Sequence, residues 1–160
     1  MKLRDLNPGP GIGASAWHVE MDGHGLLMDA GTHPKHEGNS ALPLYDVIGD
    51  RPVDTIAVTH CHHDHVGSLP VALRFFPRAH VMMTELSYFI VERVLHNSVN
   101  VMKRQAEEQG VAEYPLYTHR EVDELAPVFQ GYRYNREIEW GAFEKAARGQ
   151  ASPTLEFHHA

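Results

Sequence analysis

The sequence predicts one α/β domain of the α+β type, with strands preceding helices on a mixed sheet. The apolar run 53–58 is rich in β-branched residues and follows a proline, which indicates a buried strand. A glycine-containing turn at 22–25 separates two apolar stretches and indicates a hairpin. A long segment from Glu85 to Gln109, stopped by Gly110, indicates the longest helix. Together these elements predict half of an αββα sandwich.

The first elements follow from local signals in chain order. Residues 13–20 and 26–29 form the two arms of the hairpin, and a loop-rich connection follows with one short helix at 42–48. After the strand at 53–58, residues 69–76 read as a helix with Pro70 in its first turn, and Pro77 ends it. Residues 81–83 are then expected to add a short strand.

The second half of the chain is expected to be mainly helical. In the long helix an apolar face is predicted, and poor helix formers at 96–100 predict a break or kink. Thr118 and Glu121 match a capping box, which predicts a helix from there to about Ala126. Strands are expected near 131–139 and 154–158. The predicted apolar face consists of Leu86, Phe89, Ile90, Val94 and Leu95.

The segment after the strand at 53–58 contains the candidate metal ligands, in the pattern His-x-His-x-Asp-His-x-Gly. Imidazole and carboxylate are ligands that zinc and related ions take. On an extended segment His60 and His62 point to the same side, so they can bind one ion. A helical turn near Asp64 would bring it and His65 beside that pair, suited to a second ion about 3.5–4 Å away. Cys61 is expected to point elsewhere, and the competing interpretation is a solvated His-rich turn.

This segment resembles motif 2 of the metallo-β-lactamase superfamily. The stretch 25–31, ending Asp-Ala-Gly, is similar to motif 1, and the resemblance implies that Asp29 supports the site from behind the ligands. The continuation Gly-Ser-Leu-Pro at 67–70 and the stretches 80–85 and 117–122 resemble the β-CASP branch of RNA-processing nucleases. The resemblance implies a metallo-β-lactamase αββα sandwich with two zinc ions.

Members of the family also need a third histidine in an Ala-Gly-His segment, a bridging aspartate and a last histidine. The stretch from Thr154 to Ala160 resembles the strand leading to Ala-Gly-His, and a vector-derived tail is the weaker interpretation. Residues 1–160 are therefore expected to be the N-terminal part of one metallo-β-lactamase domain, incomplete at its C-terminus. By the same reasoning His158 and His159 are not assigned as ligands.

Composition bounds the function. A 42% hydrophobic content in 160 residues suffices for one core, and a single cysteine excludes an internal disulfide framework. The sequence lacks an apolar run of membrane-spanning length and an apolar signal-peptide core at its start. A cytoplasmic protein without a membrane partner is expected, and self-association into a homo-oligomer stays open. The net charge of −7 argues mildly against a nucleic-acid partner.

The expected function is zinc-dependent hydrolysis, with His60, His62, Asp64 and His65 holding two zinc ions that activate a water. By the β-CASP resemblance the substrate is an RNA phosphodiester, and the fragment alone is expected to be inactive. Two alternatives stay open. One is a (thio)ester or lactone hydrolase of the same superfamily, and the other is a non-catalytic metal-binding domain.

Overall fold

The computed structural model describes residues 1–9, 13–141 and 152–159. Ala160, which ends the stretch similar to the Ala-Gly-His strand, lies outside these residues. Six strands form the main sheet, in the spatial order β1 to β6. The first three are antiparallel neighbours and β3 to β6 are parallel. These strands are β1 Lys2–Asp5, β2 Trp17–Met21, β3 His24–Met28, β4 Thr55–Val58, β5 His80–Thr84 and β6 Phe129–Tyr132.

The main sheet is apolar on both faces because its central strands alternate between two cores. In β4, Ile56 and Val58 belong to the larger core, whereas Ala57 between them belongs to the smaller one. In β5, Val81 and Met82 divide in the same way. Successive side chains of a strand point to opposite faces, so a continuous apolar run is what a sheet covered on both sides requires.

The larger core lies between the main sheet and the helices. The helices are α1 His63–Val66, α2 Leu69–Phe75, α3 Glu85–Gln109 and α4 His119–Leu125, and 3-10 turns occur at Gly38–Ala41, Tyr45–Ile48 and Ala126–Val128. Gly110 ends α3 with a φ of 70°, a left-handed conformation that favours glycine. The capping box of α4 is present as predicted, with the Thr118 side chain accepting from the Glu121 backbone.

A two-stranded antiparallel sheet supplies the layer on the opposite face. Its strands are β7 Glu137–Glu139 and β8 Thr154–Glu156. Ile138 and Leu155 pack against the smaller core, where Trp140 is almost fully buried. Helices, a main sheet and a second sheet therefore stack in that order, which confirms the predicted α/β class and its sandwich architecture. Among the described residues no helix has the length and apolar character needed to span a membrane.

Two predictions for α3 are wrong. The helix runs unbroken through residues 96–100, because its packing on the sheet outweighs the weak helix propensity there. The predicted apolar face is largely solvent-exposed, with 65% of Leu86 and 76% of Phe89 accessible. Of the predicted face only Leu95 is fully buried, and the rest of the buried face includes small polar side chains. The buried residues of α3 are Ser87, Val91, Leu95, Ser98, Val99 and Met102.

Other differences concern strand bounds. The tail segment 131–139 is not one strand: β6 ends at Tyr132 in the main sheet and β7 begins at Glu137 in the small one. The short helix expected at 42–48 is limited to the 3-10 turn Tyr45–Ile48. Strand β1 was not predicted, because its charged sequence lacks apolar alternation. It pairs with β2 at the edge of the sheet.

Candidate metal centre

The predicted metal-binding segment begins where β4 ends. The strand β4 stops at Val58, Thr59 to His62 form a loop, and α1 begins at His63. Because β3, β4 and β5 are parallel neighbours, their carboxyl ends lie along one edge of the sheet. In open α/β sheets ligands bind at that edge. The sequence-predicted ligands therefore lie at the carboxyl ends of these parallel strands.

His60 and His62 form the first pair. The Nε2 atom of His60 lies 3.1 Å from Nδ1 of His62, and the two rings are nearly perpendicular at 74°. Burial lowers the pKa of His60, and the nearby imidazoles of His65 and His62 lower it further. A lowered pKa favours the neutral imidazole, which is the form that binds metal.

His65 and Asp64 form the second pair. The Nδ1–H of His65 donates to Oδ2 of Asp29 at 2.7 Å, and this hydrogen bond is the main reason that the pKa of His65 is raised. Its other nitrogen, Nε2, faces the Asp64 carboxylate at 3.6 Å. A metal-binding histidine commonly donates its second N–H to a carboxylate in this way, which fixes the ring and its tautomer. The rings of His60 and His65 lie 4.0 Å apart, so the two pairs are adjacent.

Asp29 is the centre of the supporting hydrogen bonds. Only 2% of this residue is exposed, and its carboxylate accepts from the Thr59 backbone N–H at 2.8 Å and the Thr59 hydroxyl at 3.0 Å. Ser15 adds a third donor at 3.1 Å. Its φ is +63°, which aspartate tolerates better than most residues. The carboxylate accepts from His65, and its role as a supporting residue, which the resemblance implies, stays a prediction.

Backbone hydrogen bonds join the segment 64–65 to the segments around Ser15 and Ala30. The N–H groups of Ser15 and Ala30 donate to the carbonyls of Asp64 and His65, each at 2.8 Å. Gly31 makes this approach possible, because a Cβ atom there would lie 1.7 Å from the Asp64 carbonyl oxygen. The glycine of the Asp-Ala-Gly segment is thus needed for close backbone packing against the metal loop.

Two other side chains of the segment point away from the ligand pairs. Cys61 is buried and its thiol donates to the Ser87 carbonyl of α3 at 3.2 Å, which agrees with the orientation predicted for it. The Nδ1 atom of His63 is 2.8 Å from the Thr32 hydroxyl. Burial lowers the pKa of His63. Both residues anchor the loop to its surroundings.

The four predicted ligands thus come together as two pairs. Among the described residues, the loop does not gather three ligand atoms within 4.8 Å of one another; such a group occurs on the helices, at Glu92, His96 and Asp123. The two terminal histidines have other partners. His158 contacts Asn135 at 3.1 Å, and His159 stacks on Tyr134 with ring centroids 3.8 Å apart.

The sequence analysis missed three residues of this centre. Thr59 and Ser15 complete the hydrogen bonding of Asp29, and Thr32 binds His63. Thr59 directly precedes the first histidine, so its position was a usable signal. Ser15 and Thr32 come from separate loops, and a contact between distant segments leaves no local pattern.

Comparison with protein-family models identifies the family of this chain. The family model described as the metallo-beta-lactamase superfamily matches residues 9–141, most of the chain. This protein belongs to the metallo-β-lactamase superfamily. The recognition made from motifs 1 and 2 is therefore confirmed, and members of the superfamily typically depend on two metal ions.

Sequence relatives include enzymes named for RNA processing. The chain is 31% identical over 137 residues to "Endoribonuclease ysh-1" of Neurospora crassa, covering 84% of this chain and 16% of that protein. It is 34% identical over 104 residues to "Cleavage and polyadenylation specificity factor subunit 3-I" of Arabidopsis thaliana, covering 64% and 15%. These names agree with the predicted resemblance to RNA-processing nucleases of the superfamily. The chain spans about a sixth of the length of these two relatives.

Solved structures of the superfamily are more distant. The quorum-quenching dizinc lactonase AidC matches with a TM-score of 0.48 and 16% identity, covering 77% of this chain and 44% of that one. Similarity at this level supports no argument about the substrate.

Proposed function

We propose that His60, His62, Asp64 and His65 bind two zinc ions in a hydrolase that cleaves RNA phosphodiester bonds. The carrying observation is the pairing of ligand atoms on one loop, with His60 Nε2 and His62 Nδ1 at 3.1 Å and His65 Nε2 facing Asp64 at 3.6 Å. Each pair offers part of a ligand set, and the pairs are adjacent.

The donor set suits zinc. Zinc takes nitrogen ligands at about 2.0–2.1 Å in tetrahedral geometry, so two nitrogens on one ion lie roughly 3.3 Å apart. The separation of 3.1 Å between His60 and His62 is close to that value. Imidazole with carboxylate is also a set that favours zinc over magnesium or calcium. His65 presents the lone pair of Nε2 to an ion because its proton is on Nδ1, where it donates to Asp29.

Each residue then has a defined task. His60 and His62 hold one ion, and Asp64 and His65 hold the other. Asp29 fixes the ring of His65, and Thr59 fixes Asp29 with two donors. When bound, two such ions lower the pKa of a water and stabilise charge on the oxygens around a phosphodiester.

An RNA substrate is supported by the names of the relatives. The net charge of −7 opposes it, since nucleic-acid binders usually present basic surfaces. Two divalent ions at the loop would offset this by placing positive charge where a phosphate must bind.

We also propose that the domain extends beyond these 160 residues and that additional ligands come from that remainder. The two loop pairs leave open positions on each ion, because zinc needs four ligands in all. The chain covers 12% of the length of one endoribonuclease relative and 18% of another. On this proposal residues 1–160 alone bind zinc weakly and hydrolyse nothing.

The test uses the full-length natural protein that contains this sequence, loaded with zinc and assayed on labelled single-stranded RNA. We expect metal-dependent cleavage that falls at least 1,000-fold, an effect of about 4 kcal/mol, in His62→Ala and in Asp64→Asn. His158→Ala is the matched control, because His158 contacts Asn135 and Glu156 instead. Its cleavage rate should stay within about twofold of the wild type.

Other outcomes identify which part of the proposal fails. Thioester or lactone hydrolysis by a protein that leaves RNA intact would replace the nuclease assignment with the small-molecule one. Zinc binding that Asp64→Asn and His62→Ala leave unchanged would reject the ligand assignment. Cleavage by the purified 160-residue chain would reject the proposal that additional ligands are needed.

A further inference from the structure

A second group of metal-ligating side chains lies on the helices. Two pairs, each four residues apart, face each other across the contact between α3 and α4: Glu92 with His96, and His119 with Asp123. Side chains four apart share a helix face. The Nε2 atom of His96 lies 3.1 Å from Oδ1 of Asp123 and 3.9 Å from Oε1 of Glu92.

These three side chains can reach one ion. Their ligand atoms all lie within 4.8 Å of one another. On a tetrahedral zinc ion, with bonds of about 2.0–2.2 Å, ligand atoms are roughly 3.4 Å apart, so adjustments of about 1 Å suffice. Such movement is available because the side chains of Glu92 and Asp123 are mostly exposed, at 55% and 64%. His96 is the more enclosed of the three.

The hydrogen bonds around His96 favour the tautomer that binds metal. The Nε2 atom of His119 lies 3.0 Å from the Asn100 side-chain oxygen, which can only accept, so this nitrogen carries a proton. In a neutral His119 the other nitrogen, Nδ1, then accepts from Nδ1–H of His96 at 2.8 Å. A neutral His96 therefore keeps its lone pair on Nε2.

That lone pair faces two carboxylates, and three acceptors without a cation repel one another. Either a proton or a metal ion on Nε2 relieves the repulsion. Hydrogen bonds connect Asn100 to His119 and His119 to His96. Hydrogen bonds of this kind orient metal-binding histidines.

We propose that Glu92, His96 and Asp123 form a second metal site, specific for zinc or a similar borderline divalent ion, that joins α3 to α4. Imidazole with two carboxylates suits zinc better than magnesium or calcium. A water completes the coordination. The site shares no residue with the His60–His65 loop, so it stands independently of the proposed hydrolase activity.

The test separates the two sites by mutation. In the 160-residue chain carrying His60→Ala, His62→Ala and His65→Ala, zinc is titrated against a chromophoric chelator. We expect one zinc ion per chain, bound at least tenfold more weakly after His96→Ala, Asp123→Asn or Glu92→Gln. Glu108→Gln is the matched control for Glu92→Gln, because both are exposed glutamates of α3 and only Glu92 belongs to the group.

A second measurement covers the case in which the triple variant fails to fold. Zinc is titrated into the unmutated chain while the imidazole resonances are followed by NMR. The proposal expects shifts at His96 and His119 that disappear in Asp123→Asn. Shifts confined to the His60–His65 loop would overturn it, as would a folded triple variant that binds no zinc or whose zinc affinity is unaffected by His96→Ala.

Discussion

The sheet and the helices of this protein use histidine in contrasting ways. At the end of β4, His65 donates to an almost fully buried carboxylate, and backbone N–H groups from two loops hold the segment that carries it. Between α3 and α4, His96 has a partly exposed ring whose acidic partners are mostly in solvent. The first group is held by buried hydrogen bonds, and the second consists of partly or mostly exposed side chains.

This difference predicts how mutations in each region affect folding stability and metal binding. A buried acceptor or a backbone contact has no water to replace it, so its loss costs the folded state directly. Exposed ion pairs contribute from zero to about 1 kcal/mol, because water and salt compensate for them. Mutations at the sheet end should therefore affect folding as well as metal binding, whereas mutations between the helices should affect metal binding alone.

The largest effect is expected from Gly31→Ala. The added Cβ would lie 1.7 Å from the Asp64 carbonyl oxygen, and two backbones must separate to admit it. We expect a loss of about 3 kcal/mol or more in the free energy of unfolding, measured by urea denaturation. Gly9→Ala is the control, since its nearest contact is an ordinary 3.9 Å to His36. Equal stability of the two variants would show that the loop is not held as tightly as we describe.

Asp29→Asn should have the next largest effect. The amide tolerates the positive φ but cannot accept all the donors of Thr59, Ser15 and His65. We expect a loss of about 2 kcal/mol in stability. Zinc affinity of the loop should fall about 10- to 100-fold. Asp22→Asn, at another positive φ but with an exposed side chain, should change neither quantity.

A buried histidine on the sheet gives a pH-dependent test. His18 donates from Nε2 to the Pro52 carbonyl at 2.8 Å, and its Nδ1 accepts from Arg4 at 3.2 Å. Burial is the main cause that lowers its pKa below 6.5. A proton on Nδ1 would break the Arg4 contact. Because the folded pKa is the lower one, the unfolded chain takes up the proton first as the pH falls.

The stability that His18 contributes is therefore present above pH 6.5 and is lost as the pH falls from there through the folded pKa. The loss is at most about 1.4 kcal/mol per pH unit. Urea denaturation at pH 7.5 and 5.5 should show a smaller decrease for His18→Gln than for the unmutated chain. An identical decrease in both proteins would assign the effect to other groups.

The smallest effect on stability is expected from a mutation between α3 and α4 when no metal is present. In the presence of a chelator, Asp123→Asn should change the free energy of unfolding by less than about 1 kcal/mol. Addition of zinc should widen the difference in thermal midpoint between variant and unmutated chain, because only the latter gains from binding. A large loss in chelator would mean that His96 and Asp123 stabilise the fold as an ion pair, contrary to the contrast drawn above.

Local patterns predicted much of the fold. The β-branched run before the motif predicted β4. Gly110 predicted the end of α3, and the capping box of Thr118 and Glu121 predicted the start of α4. Each depends on neighbours in sequence. The loop ligands were also predictable, because a compact His/Asp cluster after a strand is itself local. Their assignment as ligands stays a prediction.

Features that depend on tertiary contacts were missed. The buried face of α3 includes Ser87 and Ser98 while Phe89 faces solvent, because the position of the helix on the sheet decides burial. Hydrophobicity alone predicted a face of which Leu95 is buried and Leu86, Phe89 and Ile90 are exposed. The group at Glu92 and Asp123 needs two helices to meet across a loop, and no spacing within one helix reveals it.

The strands of the main sheet stand in space in the order in which they occur along the chain. A chain leaving the ribosome can therefore add each strand beside one already in place, without threading it between earlier ones. The segments around Ser15 and Gly31, which grip the loop, are synthesised before the loop itself. When His60 to His65 are synthesised, the segments whose backbone N–H groups bind this loop are already part of the chain.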